Sequence, residues 1–384
     1  MKMITATRLE SVKEYYFSKK LREVAGLVQQ GKPILNMGIG SPDLPPHPSV
    51  VEALQAGLSH PKAHMYQSYQ GLPELRQAMA DFYQRNYAVD LDPNREVLPL
   101  MGSKEGIMHI SMAFLNKGDE VLIPNPGYPT YSSVTQLVEA RPVFYDLNEA
   151  AGWQPDFEAL ERLDTTKIKL MWVNYPHMPT GTKAQAATFE RLVDWAKKNE
   201  VLLVNDNPYS FILNEEPQSL LSFQGAKAVA MELNSLSKSF NMAGWRVGQL
   251  SGNAENIQAV LKVKSNMDSG MFYGIQQGAI AALNAQSSWF TELNAIYRKR
   301  RSLIETLATS MNTTFDPNSV GLFVWAKLND DRLTAEAYID ELLYEKDIFI
   351  TPGTIFGSQG EGYVRFSLCV TEEQIQTAIN RMQV

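Results

Sequence analysis

Between residues 96 and 252 the chain alternates short apolar runs with longer stretches of helical periodicity. "EVLPLMGS" (96–103) leads into "KEGIMHISMAFLNKG", and "DEVLIPNPG" (119–127) leads into "YPTYSSVTQLVEA". "KLMWVNYP" (169–176), "VLLVNDN" (201–207), "KAVAMELNS" (227–235) and "VGQLSG" (247–252) follow. Strands alternating with helices predict a mainly parallel sheet covered on both faces. Residues 201–204, Val-Leu-Leu-Val, are apolar throughout, as a strand buried on both faces should be. From Thr182 the spacing predicts a helix. Thr182 and Gln185 form a capping box, and Phe189, Leu192, Val193 and Ala196 make one apolar stripe.

Past residue 285 the texture changes. A long helical pattern runs to about Ser310, and "GLFVWAKL", "DIFITPG" and "YVRFSLCV" then interleave with helices near 333–345 and 371–382. This predicts a smaller α+β domain. Residues 46–290 form the expected large domain, and residues 1–45 with 291–384 the small one.

With 384 residues the chain is long enough for this division. It is 44% hydrophobic and 20% charged, an ordinary globular balance. The net charge of −7 argues against a nucleic-acid partner. No apolar run is long enough to span a bilayer, and the N-terminal residues mix acids and bases with no apolar segment. The one cysteine, Cys369, excludes an intrachain disulfide and reads as a small buried apolar residue. Together these predict a cytoplasmic protein with neither membrane nor nucleic acid as a partner.

Three segments carry candidate chemistry. In "PLMGSKEGI" (99–107) a strand ends at Gly102-Ser103 and a helix begins, offering free N–H groups to an anion; Ser103 could equally be a plain helix cap. "MGIGSPD" (37–43) lacks the third glycine of a dinucleotide fingerprint. In "VNDNPYS" (204–210), Asp206 sits at the carboxyl end of an apolar strand, where an open sheet faces its ligand, with Tyr209 three residues on. The same letters would also serve a turn. In "LNSLSKSFNMAGWRVG" (233–248), Lys238 follows another strand end. A sheltered lysine can lose its proton and condense with a carbonyl, and Ser235, Ser237 and Arg246 can clamp a phosphate. Combined, these segments describe a site for pyridoxal 5′-phosphate, a lysine Schiff base with an aspartate partner for the pyridine nitrogen.

The chain resembles the class I/II, fold-type I aminotransferases from end to end. The segments that carry the resemblance are "GIGSPDLP", "YQSYQGLPELR", "GSKEGI", "PNPGYPTY", "NYPHMPTG", "NDNPYS", "SLSKSFNMAGWRVG", "KSNMDSG" and "YVRFSL". "GSKEGI", "NYP…PTG" and "KSNMDSG" look closest to the branch containing LL-diaminopimelate aminotransferase. The resemblance implies an α/β fold with a large, mainly parallel domain and a smaller α+β one. It implies ping-pong transfer of an amino group from an L-amino acid to a 2-oxo acid. In it Lys238 holds the cofactor as an imine, Asp206 pairs with the pyridine nitrogen, Tyr209 bonds the ring 3′ oxygen and Tyr128 stacks on the ring. Gly102, the Ser103 and Lys104 amides, Ser235, Ser237 and Arg246 take the phosphate, and Tyr66 reaches the phosphate of a neighbouring subunit in a homodimer. Arg365 binds the substrate α-carboxylate, with Gly40 at the same end. No metal is implied. β-Elimination on the same scaffold and cofactor binding without turnover are the alternatives. In one departure, Met178 stands where the family usually has an asparagine that donates to the 3′ oxygen. Losing that bond, worth about 1.5–3 kcal/mol, predicts a more basic imine. Asn174, four residues earlier, reads as a turn residue. Asn207 stands where many relatives carry an acid, with no function attached.

Overall fold

The computed structural model describes residues 4–10, 16–330 and 332–383; residues 1–3 and 11–15 of the expected N-terminal segment lie outside them. In chain order the helices are α1 (Tyr16–Gln29), α2 (Pro48–Leu58), α3 (Pro73–Tyr87), α4 (Ser103–Phe114), α5 (Thr130–Leu137), α6 (Phe157–Glu161) and α7 (Ala186–Asn199). Then come α8 (Ala226–Val229), α9 (Leu236–Ser239), α10 (Ala254–Lys264), α11 (Tyr273–Leu283), α12 (Ser288–Ser310), α13 (Ala335–Lys346) and α14 (Glu372–Met382). The strands begin with β1 (Leu35–Asn36), β2 (Val97–Leu100), β3 (Glu120–Asn125), β4 (Arg141–Asp146) and β5 (Ile168–Val173). They continue with β6 (Leu202–Asp206), β7 (Ala230–Ser235), β8 (Gly248–Gly252), β9 (Thr313–Phe315), β10 (Phe323–Leu328), β11 (Ile348–Phe349), β12 (Thr351–Pro352) and β13 (Tyr363–Ser367).

Seven strands form the central sheet, in the order β2-β8-β7-β6-β5-β3-β4. The pairings from β7 through to β4 are parallel, while β8 runs antiparallel to both β7 and β2. Successive residues of the inner strands enter opposite cores. Leu170 and Trp172 of β5 and Val204 of β6 join one buried cluster, and Met171, Val173 and Leu203 join the other. Both faces are thus covered, which explains the unbroken apolar run of β6. The topology also fixes where ligands can sit. The carboxyl ends of β2, β6 and β7 share one edge of the sheet with the start of β8, because Gly248 pairs with both Ser235 and Leu100.

A third buried cluster, built on β10, β13, α12, α13 and α14, lies apart from those two. Its four-stranded antiparallel sheet runs β12-β13-β10-β9. The early strand β1 pairs in parallel with the late β11, so the N-terminal segment closes onto the C-terminal elements. Among the described residues, no helix is long and apolar enough to cross a membrane.

Two local expectations are corrected. The helix expected from Thr182 begins at Ala186, and Gln185 is an N-cap without a side-chain bond. Thr182 is held instead in a loop, where its carbonyl accepts from the His177 N–H at 2.8 Å and its hydroxyl accepts from Thr180 at 3.0 Å. The loop's own bonds outcompete the capping box; the stripe Phe189, Leu192, Val193 and Ala196 is buried as the spacing predicts. The run "DIFITPG" is not one strand. It divides into β11 and β12, which belong to different sheets.

Candidate active site

A cavity of about 690 Å³ opens over the carboxyl edge of the central sheet. Lys238 reaches it from α9, the four-residue helix that follows β7 and is capped by the Ser235 hydroxyl. Its Nζ donates to the Gly40 carbonyl at 2.5 Å. Burial, helped by the positive charges of Arg365 and Arg246, holds the ammonium below its usual pKa, against the pull of Cys369 and Asp206. A lysine so placed sheds its proton more readily and becomes a nucleophile.

Asp206 ends β6 with its carboxylate buried. Oδ2 accepts from the Tyr131 hydroxyl at 2.9 Å, whereas Oδ1 is buried with no partner. Burial pushes this carboxyl up to about 6, against the Tyr131 bond. An orphaned carboxylate oxygen costs free energy unless a donor reaches it, and a protonated ring nitrogen is such a donor. Tyr131 is itself fixed by stacking on Trp172, with centroids 4.9 Å apart and planes 7° apart. Tyr128, one turn away, meets Tyr131 edge-on and lines the cavity. Tyr209 is buried against Phe323, and burial raises its hydroxyl pKa well above the ordinary value.

The anion end is built by β2, β8 and the turn between β7 and β8. Gly102 has φ +92°, and a Cβ there would lie 2.0 Å from Arg246 Nη2. Only glycine lets the arginine pass. Ser103 and Lys104 open α4 beside it, with first-turn N–H groups unpaired along the helix. Arg246 donates to the Ser237 hydroxyl at 3.4 Å and the Ala243 carbonyl at 3.0 Å. The Ser235 hydroxyl accepts from the Ser237 N–H at 3.2 Å. Ser103, Lys104, Ser235, Ser237 and Arg246 all line the cavity. Backbone N–H groups, hydroxyls and an arginine fork are the donor set a phosphate takes, and with Asp206 Oδ1 and Lys238 they fit pyridoxal 5′-phosphate.

At the opposite end, Arg365 of β13 is 5% exposed. Its Nη2 donates to the Gly38 carbonyl at 2.9 Å, its Nη1 meets Met178 Sδ at 3.5 Å, and its Nε has no partner. The guanidinium lies 3.9 Å from the Phe323 ring centroid and 4.8 Å from that of Phe356. Burial lowers its pKa to about 10, still charged at neutral pH.

Of the expected site residues, Gly102 stands behind the lining residue Arg246, and Tyr66 is not among the lining residues of the single chain. It is 91% exposed. The reading of Asn174 as a turn residue is corrected. It is buried, its amide donates to the Asp206 carbonyl at 2.5 Å, and its oxygen accepts from the Met178 N–H at 2.9 Å. Asn207 donates to the Gln218 carbonyl and to Glu232. Sequence reasoning missed Tyr131, Phe323 and Phe356. Tyr131 had a signal, three residues after Tyr128 on one helical face; the two phenylalanines had none. Elsewhere, ligand atoms of Glu105, His109 and Asp268 lie within 4.8 Å of one another, but Lys264 Nζ already pairs with Asp268 at 2.8 Å.

Residues 32–382 match the sequence profile of the family described as aminotransferase class I and II. The chain is 38% identical to LL-diaminopimelate aminotransferase of Aquifex aeolicus, over 98% of this chain and 97% of that one. It is 39% identical to the enzyme of that name from Dehalococcoides mccartyi strain CBDB1, over 99% and 98%. An apo structure of BacF from Bacillus subtilis superposes with a TM-score of 0.95 at 36% identity, covering 100% of this chain and 98% of that one.

Proposed function

The chain belongs to the class I and II aminotransferases, and we propose that Lys238, Asp206 and Arg365 do its chemistry inside the cavity described above. Its activity is pyridoxal-phosphate-dependent transfer of an amino group from an amino acid to a 2-oxo acid, on the fold-type I architecture. β-Elimination and cofactor binding without turnover are not favoured by these relatives.

The cofactor supplies an aldehyde for covalent attachment and a ring that accepts the electron pair left when the substrate Cα loses its proton. The chain's residues do the rest. Ser103, Lys104, Ser235, Ser237 and Arg246 hold the phosphate, and glycine at 102 keeps room for the arginine. Tyr128 would cover the ring, and Tyr209 would donate to its 3′ oxygen. Asp206 Oδ1 would accept from the pyridine N–H and keep that nitrogen protonated. Arg365 forks onto the substrate α-carboxylate, so the Cα sits between it and Lys238. The Lys238 amine, held beside Gly40, would take the proton from the substrate Cα as base and give it up as acid at the cofactor's former aldehyde carbon, so that the amino group stays with the cofactor. The observation that carries this reading is the orphaned Asp206 Oδ1 in the cavity that also holds Lys238.

The proposal extends to a homodimer in which Tyr66 serves the neighbouring site, to a division into residues 46–290 and 1–45 with 291–384, and to a cytoplasmic location. Support for the dimer is an apolar surface. Met65, Tyr66 and Met267 are 63%, 91% and 59% exposed, and the loop at Gly270 abuts the Gln67 carbonyl, which joins the two segments.

Lys238→Ala tests the core of this reading. It is expected to abolish turnover and to leave no pyridoxyl adduct on its peptide after borohydride reduction. Retained transamination would refute the assignment.

A further inference from the structure

Two groups fix the orientation of an amino acid in this cavity. Its amine must meet the cofactor at Lys238, and its carboxylate must meet Arg365. The side chain then has only the remaining walls to contact. On the reading above, four of the five charged residues that line the cavity are already engaged. Arg246 serves the phosphate, Asp206 the ring, Lys238 the Cα and Arg365 the α-carboxylate. The fifth, Lys104, gives its backbone N–H to the phosphate and has an exposed side chain at that end of the cavity, opposite Arg365.

The other walls are apolar. Tyr16, Phe17, Met178, Phe323, Ile355 and Phe356 all face the cavity. Phe17 stacks on Phe349 at 6.2 Å, which ties α1 to the small sheets and holds it over the opening. Beyond these rings the outer rim is acidic. Thr354, which lines the cavity, donates to Glu336 at 3.0 Å. Lys20, the cation beside Tyr16, is already bridged to Glu23 at 2.9 Å and to Asp340 at 2.6 Å. Burial, then the charge of Asp340, pushes the Tyr16 hydroxyl up to about 12, against the pull of Lys20.

We infer that this site selects an amino donor with an apolar side chain, aromatic or large aliphatic, and rejects donors whose side chain ends in a carboxylate. This sets the chain apart from the relatives named for LL-diaminopimelate, whose side chain ends in a second ammonium and carboxylate. The physical basis is asymmetric. A ring or branched chain gains contact area against Phe17, Ile355 and Phe356. A distal carboxylate would give up water for a wall with no donor and a rim of like charge.

The test is a single-turnover screen on the wild-type holoenzyme, following loss of the cofactor's absorbance band. L-Phenylalanine, L-leucine and L-methionine are compared with L-aspartate, L-glutamate and LL-diaminopimelate. The best apolar donor is expected to exceed every charged one by about 100-fold or more in the apparent second-order rate constant. A charged donor within about tenfold of it overturns this inference and leaves the catalytic reading standing. No conversion by any donor overturns both. Calorimetry with unreactive carboxylates gives a second readout, with 3-phenylpropanoate expected to bind more tightly than glutarate; the reverse order also overturns the inference. Ile355→Arg, which places a cation on the wall, is expected to raise the ratio of the L-glutamate to the L-phenylalanine rate by about tenfold. An unchanged ratio in a folded, cofactor-loaded variant counts against the proposed path of the side chain.

Discussion

Met178 and Asn174 show how a single letter changes a site. The asparagine expected before "PTG" is missing, and the nearest substitute cannot fill in, because both ends of the Asn174 amide are committed to the Asp206 carbonyl and the Met178 N–H. On the proposed reading, Tyr209 is then left as the donor to the ring's 3′ oxygen. Met178→Asn restores a second, worth about 1.5–3 kcal/mol toward the charged acceptor. It is expected to lower the pH midpoint of the absorbance change of the Lys238-linked cofactor; equal midpoints in variant and wild type would end the idea. Asp206 makes a prediction about pH in the cofactor-free protein. Burial raises its carboxyl to about 6 from 3.8, so the folded state favours the protonated form. Its contribution is therefore fully present below about pH 4 and is lost as pH rises through 6, on the order of 3 kcal/mol. Urea unfolding of the apoprotein should show wild type losing stability relative to Asp206→Asn across that window. Cofactor should cancel the loss, because its ring nitrogen supplies the missing donor. A gap that does not change with pH would contradict the burial argument.

At the scale of elements, strand ends do the positioning, and a buried acid holds the strands in register. Glu232, in the middle of β7, accepts from Tyr83 of α3, from Asn205 at the end of β6, from Asn207 just beyond it, and from the Ser219 hydroxyl and the Leu220 N–H. Five donors on four segments converge on one carboxylate, which stands opposite Asn205, the residue before Asp206. Glu232→Ala leaves all five unmet in a dry interior and should cost about 3–5 kcal/mol of stability, read as a lower urea midpoint. A loss below about 1 kcal/mol would mean that water replaces the carboxylate. None of this was legible in "AVAMELNS", where Glu232 looks like an ordinary polar letter in a strand. Periodicity made the strands legible because both faces of the sheet are buried. It failed at Thr182, where loop hydrogen bonds took the capping groups, and at Ile350, where one apolar run feeds two sheets. Lys238, Asp206 and Arg246 were legible because strand ends and turn residues mark them. Phe323 and Phe356 were not, since an aromatic on a strand or in a loop looks like core until the fold brings it against Arg365.

The whole molecule raises a question that one chain cannot answer by itself: what a fully exposed tyrosine is for. Tyr66 is 91% exposed, its chain neighbour Met65 is 63% exposed, and Met267, 59% exposed, belongs to the segment whose Gly270 abuts Gln67. Exposed apolar residues of this kind suit the proposed interface, and a two-fold arrangement would place the same patch on both partners. If Tyr66 completes the phosphate site of the opposite subunit, two defects in different chains can be made to complement. Tyr66→Ala alone should weaken cofactor binding at both sites, and Lys238→Ala alone should abolish turnover. In a mixed dimer of the two, one site combines an intact Lys238 with an intact Tyr66 contributed by the other chain, while the second site carries both defects. Unfolding and refolding an equal mixture forms such hybrids in about half of the dimers if pairing is random. At limiting cofactor, where the Tyr66→Ala dimer is largely empty, the mixture should regain about a quarter of wild-type activity per site, the fraction of sites that are intact. Activity no greater than the sum of the parents kept apart would show that Tyr66 serves its own chain or no site. A sedimentation coefficient matching one 43.1 kDa chain at working concentrations would remove the interface altogether.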